Sequence, residues 1–400
     1  MEGTQLTNRN RKIQFNARQY GMGIALIAIM ILFQILTKGV LLKPLNVSNL
    51  IMQNSYVLVL AIGMLLCILT GNIDLSVGSI AAFIGATSGV FIMDFKMDPV
   101  LVLVLSVVIG GVIGAWQGFW ISYVRIPAFI VTLAGQLIFR GLTMAILNGQ
   151  TKAPFPDIYT VVSAGFVPDV LTDLLGPISL FGKQLNLLTL AFGILVSVLY
   201  IISELRKRAE MRRYNFAVLS PAMLAVKVTL MVVGINLFTF WLNDYKGIPT
   251  VLVLLGVLIM IYSFVTSRTT IGRHIYAFGG NEKAARLSGI NTKRVFFWVY
   301  VNMGVLSAVA GIVFAGRLNA ATPKAGVNFE LDAIASCYIG GASASGGIGT
   351  VFGAIVGGLI MGVLNNGMSI MGISVDWQQA IKGFVLLMAV AFDVLSKKKK

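Results

Sequence analysis

Apolar runs of near-membrane length fill this chain, and the polar breaks between them hold most of its basic residues. The first run, 20–42, ends at Lys43-Pro44, where proline stops a helix. The next two, 56–69 and 77–93, fall short of the roughly 20 residues that a spanning helix needs. Between them lies Thr70-Gly71-Asn72-Ile73-Asp74-Leu75-Ser76. Two short runs around such a break predict broken or re-entrant helices, because irregular backbone at membrane depth must line a cavity or be buried in protein. Asn72, Asp74 and Ser76 are therefore candidate pathway or gating residues. Capping the helix that begins near Ser76 is the competing role for Asp74.

Further runs cover 100–123, 128–147, 185–202, 223–242, 248–266, 295–315, 333–341, 348–364 and 380–395. Gly110, Gly114 and Gly118 share one helix face and suit close helix packing, as do Gly353 with Gly357 and Gly358 with Gly362. Gln136 and Arg140 sit inside an apolar run and must face protein or water, since lipid offers them no partner. Asn302, Asn365 and Asn366 either face a pathway or bond between helices. Residues 148–184 carry Asp157, Asp169 and Asp173 with few basic residues, which places them outside, with amphipathic pieces across 161–175. Residues 317–332 read as a second outer loop. The basic clusters at 206–213 and 268–294 fall inside, as do the basic ends 1–19 and 397–400. The expected fold is an all-α polytopic membrane protein with about ten to twelve transmembrane helices, some short, broken or re-entrant. Its membrane domain covers 20–396, and both termini are cytoplasmic.

The inside stretch 272–294 reads as a water-exposed loop that holds one short helix. Asn281 can cap it by accepting a bond from an orphan backbone N–H. Glu282 then sits in the first turn, where the helix dipole favours an anion. Ala284, Ala285, Arg286 and Leu287 are good helix formers, Ser288 follows, and Gly289 can take the left-handed conformation that closes a helix. A helix this short is marginal alone. It either rests on the lipid surface or docks a soluble partner, presenting Ala284, Ala285 and Leu287.

Composition agrees with a membrane protein. Of 400 residues, 57% are hydrophobic and 12% charged, against about 25% charged in soluble domains. The net charge of +16 is distributed by side of the membrane rather than on one face, which argues against nucleic acid. Cys67 and Cys337 lie in apolar runs and the single histidine, His274, lies in the basic loop, so no disulfide framework, metal site or cofactor is expected. The chain has no Gly-x-x-x-x-Gly-Lys-Ser/Thr loop, no His-Glu-x-x-His and no paired carboxylates within one apolar run. It is therefore not expected to hydrolyse ATP or to be an enzyme. A membrane gate driven from elsewhere fits; an ion-coupled carrier is the alternative, with Asp74 and Arg140 as its buried titratable candidates.

Three segments carry a family resemblance. Gly280-Asn281-Glu282-Lys283-Ala284-Ala285-Arg286-Leu287-Ser288-Gly289-Ile290 resembles the coupling loop of the ribose/galactose/xylose-type permeases of bacterial ABC importers. Asn72-Ile73-Asp74-Leu75-Ser76-Val77-Gly78-Ser79 resembles that family's Gly-Gly-Ile-Asp-Leu-Ser-Val-Gly segment, with Asn72 in place of the second glycine. Ile339-Gly340-Gly341-Ala342-Ser343-Ala344-Ser345-Gly346-Gly347-Ile348-Gly349 resembles its Gly-Gly-x-Ser-x-x-Gly-Gly-x-Gly segment. They occur in the family's order, and the likeness covers most of 45–394. Residues 319–326 are most similar to the xylose or multiple-sugar branch, and 205–244 to the extra segment of that branch. The resemblance implies a sugar-importing permease subunit of the bacterial cytoplasmic (inner) membrane, carrying a xylose-like pentose or related hexose. It further implies a second copy of the chain, a cytoplasmic ATPase, an extracytoplasmic sugar-binding protein and surrounding membrane lipid as partners. The ATPase-coupling residues would be Asn281, Glu282, Ala284, Ala285, Arg286, Leu287, Ser288 and Gly289. The runner-up function is an ion-coupled secondary sugar carrier.

Overall fold

The computed structural model describes residues 17–398 apart from 181, 182, 215 and 217. The tail readings on 1–16 and 399–400 lie outside the described residues. Helices and the turns between them make up the described chain, apart from one hairpin of two two-residue strands and two isolated β-bridges. It opens with α1 (Ala17–Leu36), α2 (Pro44–Leu69), α3 (Val77–Met93), α4 (Pro99–Ser122), α5 (Ala128–Leu147) and α6 (Asp157–Ala164). Next come α7 (Val170–Leu175), the hairpin β1 (Ser179–Leu180) and β2 (Lys183–Gln184), α8 (Leu187–Arg213) and α9 (Pro221–Asn243). It continues with α10 (Thr250–Arg268), α11 (Thr270–Gly280), α12 (Glu282–Leu287), α13 (Thr292–Leu318), α14 (Phe329–Ile339), α15 (Val351–Ile370) and α16 (Val375–Lys398). Eight of these helices, α2, α4, α5, α8, α9, α10, α13 and α15, are long and apolar enough to cross a membrane; α3 and the apolar part of α1 are shorter. The chain is thus an all-α polytopic membrane protein.

The helices form two compact units. In the smaller, Pro168–Ile248, α8 and α9 pair as a hairpin, and Asn243 Oδ1 accepts the backbone N–H of Asn186 at 2.7 Å. All other described helices belong to the larger unit, apart from α7.

The core of the larger unit is α2, whose residues from Val57 to Leu69 are almost entirely buried. It is a full 26-residue helix and not the short run 56–69 of the sequence reading. Asn46, Ser48, Gln53, Asn54 and Ser55 interrupt the apolar pattern of its first half, but protein rather than lipid meets them. Asn46 donates to Asn366 Oδ1 of α15 at 2.8 Å, and Asn366 donates back to Asn46 at 3.1 Å and to Gln53 at 3.3 Å. Asn366 therefore bonds between helices. At the other end of the same correction, α1 stops at Leu36 rather than 42, because Lys38 and Gly39 turn the chain with φ of 53° and 87°.

Small residues set the helix crossings. A Cβ on Gly114 of α4 would lie 2.4 Å from Tyr300 O of α13, and one on Gly357 of α15 would lie 1.9 Å from Ser336 O of α14. These backbones touch only because the side chains are absent, as the glycine spacing predicts.

A structural repeat organises the larger unit. The order long helix, polar break, short helix, long helix, helix occurs in α2 to α5 and again in α13 to α16. In each copy the short helix packs on the last one, α3 on α5 and α14 on α16. Each first helix packs on the other copy, α2 on α14 and α15, and α13 on α3 and α4. α11 touches the C-terminal end of α2 and the N-terminal end of α13, so the two long helices run antiparallel and the repeat is inverted.

Candidate functional site

One end of the larger unit gathers both sets of candidate residues: the break after α2, and the α11–α12 pair. α11 was not anticipated, since 272–280 reads as loop in the sequence. It is an amphipathic helix, capped where Thr269 Oγ1 accepts the Gly272 N–H at 3.3 Å. Ile275 and Phe278 face inward, with the Phe278 ring 5.2 Å from that of Phe296 on α13. Tyr276 donates its hydroxyl to Gly349 O at 2.7 Å. Gly272 and Gly279 hid this periodicity, yet both are required, because each lies against another segment's carbonyl oxygens.

α12 follows through Asn281, whose Oδ1 accepts the Ala284 N–H at 3.0 Å. Glu282 and Arg286 occupy its first and last turns, in the sense the helix dipole favours. Ser288 ends it, Gly289 turns with φ of 86°, and Ile290 N–H bonds Ala285 O at 3.1 Å. The presented face differs from the sequence reading. Ala285 is buried, while Ala284 is exposed and Leu287 is 88% exposed. Ala285, four residues after the cap, is the side chain that this short helix turns inward. Glu282 Oε1 lies 3.3 Å from Arg125 Nη1 in the turn between α4 and α5. Both side chains are about half exposed, so this pair contributes at most about 1 kcal/mol and mainly fixes register. Asn291, which caps α13 through the Arg294 N–H at 3.0 Å, was missed, although Asn-Thr before an apolar run is a legible start signal.

The break after α2 separates its three candidates. Gly71 has φ of 75°, and Asn72 donates to Thr70 O at 2.9 Å. Asn72 lines a cavity of about 280 Å³ together with Ile73, Pro127, Phe129, Tyr338 and Ala344. Asp74 and Ser76 do not line it. Both are buried, and Asp74 Oδ1 accepts the Ser76 N–H at 2.8 Å and its hydroxyl at 2.6 Å, an Asx-type turn leading into α3. Gln117 of α4 donates to Ser76 Oγ at 2.8 Å, in space left by Gly135 of α5, where a Cβ would lie 2.4 Å from the Gln117 nitrogen. Gln117 was missed, because nothing in sequence spacing links it to Ser76.

The second break carries more buried charge than the sequence suggested. Glu330 and Asp332 belong to α14 and not to an outer loop ending at 332, and they are two carboxylates in one helix. Gln136 donates to Glu330 Oε1 at 3.1 Å, Arg140 donates to Ala325 O at 2.6 Å, and Lys382 of α16 pairs with Asp332 at 3.0 Å. Gln136 and Arg140 thus face protein.

This broken-helix geometry accompanies a sequence match. A family model described as the branched-chain amino acid transport system / permease component matches residues 46–390. The chain belongs to this permease family. The permease is 38% identical over 384 residues to a xylose transport system permease protein, XylH, of Haemophilus influenzae, covering 96% of this chain and 98% of the relative. It is 39% identical to XylH of Escherichia coli, over 96% and 93% of the two chains. It is 33% identical to the ribose import permease protein RbsC of Bacillus subtilis, over 98% of both. No solved structure matches the permease.

Proposed function

We propose that this permease is the membrane subunit of an ATP-driven bacterial importer in the cytoplasmic membrane, and that it carries a xylose-like pentose or a related monosaccharide. The observation that carries this reading is the full-length likeness to xylose permeases. ATP is hydrolysed by a separate cytoplasmic ATPase, and an extracytoplasmic sugar-binding protein delivers the substrate. Two copies of the permease assemble, because one α12 per chain serves each of two ATPase sites.

In the mechanism, the ATPase docks on Asn281, Glu282, Ala284, Arg286, Leu287, Ser288 and Gly289, with Ala285 anchoring the helix from inside. Closure of the ATPase pushes α12. The capped junction at Asn281 passes the push to α11, and α11 bears on the end of α2. The Asn72 cavity then opens or closes to sugar. Asp74 and Ser76 keep the break in shape behind the cavity wall, so they are positioning residues, and Asn72 faces the sugar. The two-sided arrangement supports this reading: Arg125, α11 and α12 share one end, while Asp94 and Lys152, paired at 2.7 Å, share the other.

Reconstitution tests the function. Vesicles holding the permease, its ATPase and its binding protein are expected to take up xylose with ATP, and to continue when ionophores collapse ion gradients. Uptake without the ATPase, abolished by ionophores, would establish the ion-coupled carrier instead. Single-cysteine labelling is expected to reach positions 207 and 274 from the cytoplasm and 169 and 324 from outside. An intact-complex mass with one permease copy would refute the dimer.

A further inference from the structure

The basic end of the α8–α9 hairpin borders an open cleft of about 200 Å³. α8 supplies Glu204, Lys207, Arg208 and Met211, a spacing that puts all four on one helix face. α9 supplies Leu224 and Lys227, and Val218 and Leu219 close the end. Glu204, the one anion, is engaged by Lys227 at 2.8 Å. Arg208 Nε is buried and has no hydrogen-bond partner among the described residues. A buried guanidinium N–H left unpaired is costly, and an anion satisfies it best. Lys207 adds a second cation on the same face. The N-terminus of α9, capped by Ser220, adds the positive end of a helix dipole.

We propose that this cleft holds the phosphate of an acidic phospholipid from the cytoplasmic leaflet. Its depth favours a lipid over a free anion: the apolar run of α8 ends at 202 and that of α9 starts at 223, so the cleft lies at headgroup level. Its lining favours a lipid as well. Met211, Val218, Leu219 and Leu224 form an apolar wall that glycerol and the first methylenes of an acyl chain cover, and that a bare phosphate leaves exposed.

The test uses the full chain in nanodiscs of phosphatidylcholine with added phosphatidylglycerol, and counts retained lipid by native mass spectrometry. Arg208→Gln with Lys207→Gln is compared with Arg212→Gln with Arg213→Gln, which removes equal charge from the same helix outside the cleft. Retention of phosphatidylglycerol is expected to weaken about tenfold in the first pair and to stay unchanged in the second. Melting in pure phosphatidylcholine verifies that both pairs fold. Equal weakening in both pairs, or none in either, overturns the proposal. A parallel arm adds millimolar inorganic phosphate to phosphatidylcholine nanodiscs and is expected to leave melting unchanged. Stabilisation by inorganic phosphate, with none by phosphatidylglycerol, makes the occupant a free anion and overturns the lipid assignment.

Discussion

Gly279 of α11 lies so close to the carbonyl oxygen of Leu69 that a Cβ on the glycine would stand 1.6 Å from it. That oxygen also accepts the backbone N–H of Gly347 at 2.9 Å. The end of the most buried helix, the amphipathic helix beside α12 and the glycine-rich turn before α15 therefore meet at one point.

Gly279→Ala is expected to push α11 off this point and to lower sugar uptake by about tenfold or more at normal membrane abundance, since overpacking of this kind costs about 1–3 kcal/mol. Gly280→Ala is the control, because a Cβ there meets nothing within 4 Å and the backbone is not in the left-handed region. Uptake and abundance measured together decide the matter. Normal uptake by Gly279→Ala would remove α11 from the transmission path.

At Gly289 the space is open, so only backbone strain resists a side chain. With φ at 86°, Gly289→Val carries a penalty of about 1–2 kcal/mol or more. A six-residue helix cannot absorb that, and ATP hydrolysis is expected to uncouple from uptake while the permease remains in the membrane. Gly289→Asn, which tolerates the left-handed region, is expected to keep most coupling. Lys283→Ala is expected to be mild, because a rim charge mainly tunes association rate. Full coupling in Gly289→Val would leave α12 a lipid-surface helix.

Asp74 is expected to act through its hydrogen bonds. Asp74→Asn keeps an acceptor for Ser76 and should transport nearly normally. Asp74→Ala leaves the buried Ser76 N–H and hydroxyl unpaired, at about 1–3 kcal/mol for each group, and should lower both melting temperature and uptake. Loss of transport by Asp74→Asn at unchanged melting temperature would assign the carboxylate a direct gating role.

Acid sensitivity is expected at Asp169, near the start of α7. Burial is the largest single influence and pushes its carboxyl up, but the Thr172 hydroxyl and the backbone N–H groups of Leu188, Thr172 and Leu187 together outweigh it and hold the carboxyl below the usual carboxylate range. A depressed carboxyl stabilises fully above its unfolded value of about 4, and the contribution is lost as pH falls through the folded value. The melting difference between the wild type and Asp169→Asn should therefore be constant near neutral pH and shrink below about pH 4. A difference independent of pH would contradict the assignment.

The legibility of this chain follows from what each residue touches. α3 and α5 begin and end where the apolar runs do, because local turn and polar residues flank both runs: the Asp74–Ser76 turn and Asp94 around α3, and Pro127 and the left-handed Asn148 around α5. The start of α2 was hidden because a helix enclosed by protein tolerates Asn46, Asn54 and Ser55, which a lipid-facing helix would not. Asn281 and Gly289 announced the ends of α12, since caps are local chemistry. The inward turn of Ala285, the bond from Gln117 to Ser76 and the pairing of Lys382 with Asp332 were not legible. Each depends on which distant segment arrives beside it, and a single sequence holds no record of that distance.

The enclosure of α2 also sets a timetable. The ribosome releases α2 early, yet α13 begins roughly 220 residues after Leu69, and α14 and α15 come later still. At about 5–20 residues per second, α2 waits about 10–45 s before α13 even begins, and longer for α15, whose Gly362 lies against Asn54. During that interval Asn54 and Ser55 bond only within α2 itself, to the carbonyl oxygens of Leu50 at 2.8 Å and Met52 at 2.9 Å, and their outer faces lack the protein cover of the finished fold. The step that completes this molecule is therefore a late insertion of the second repeat around a helix made in the first, and nascent chains cut short before α13 should be the ones that membrane proteases recognise.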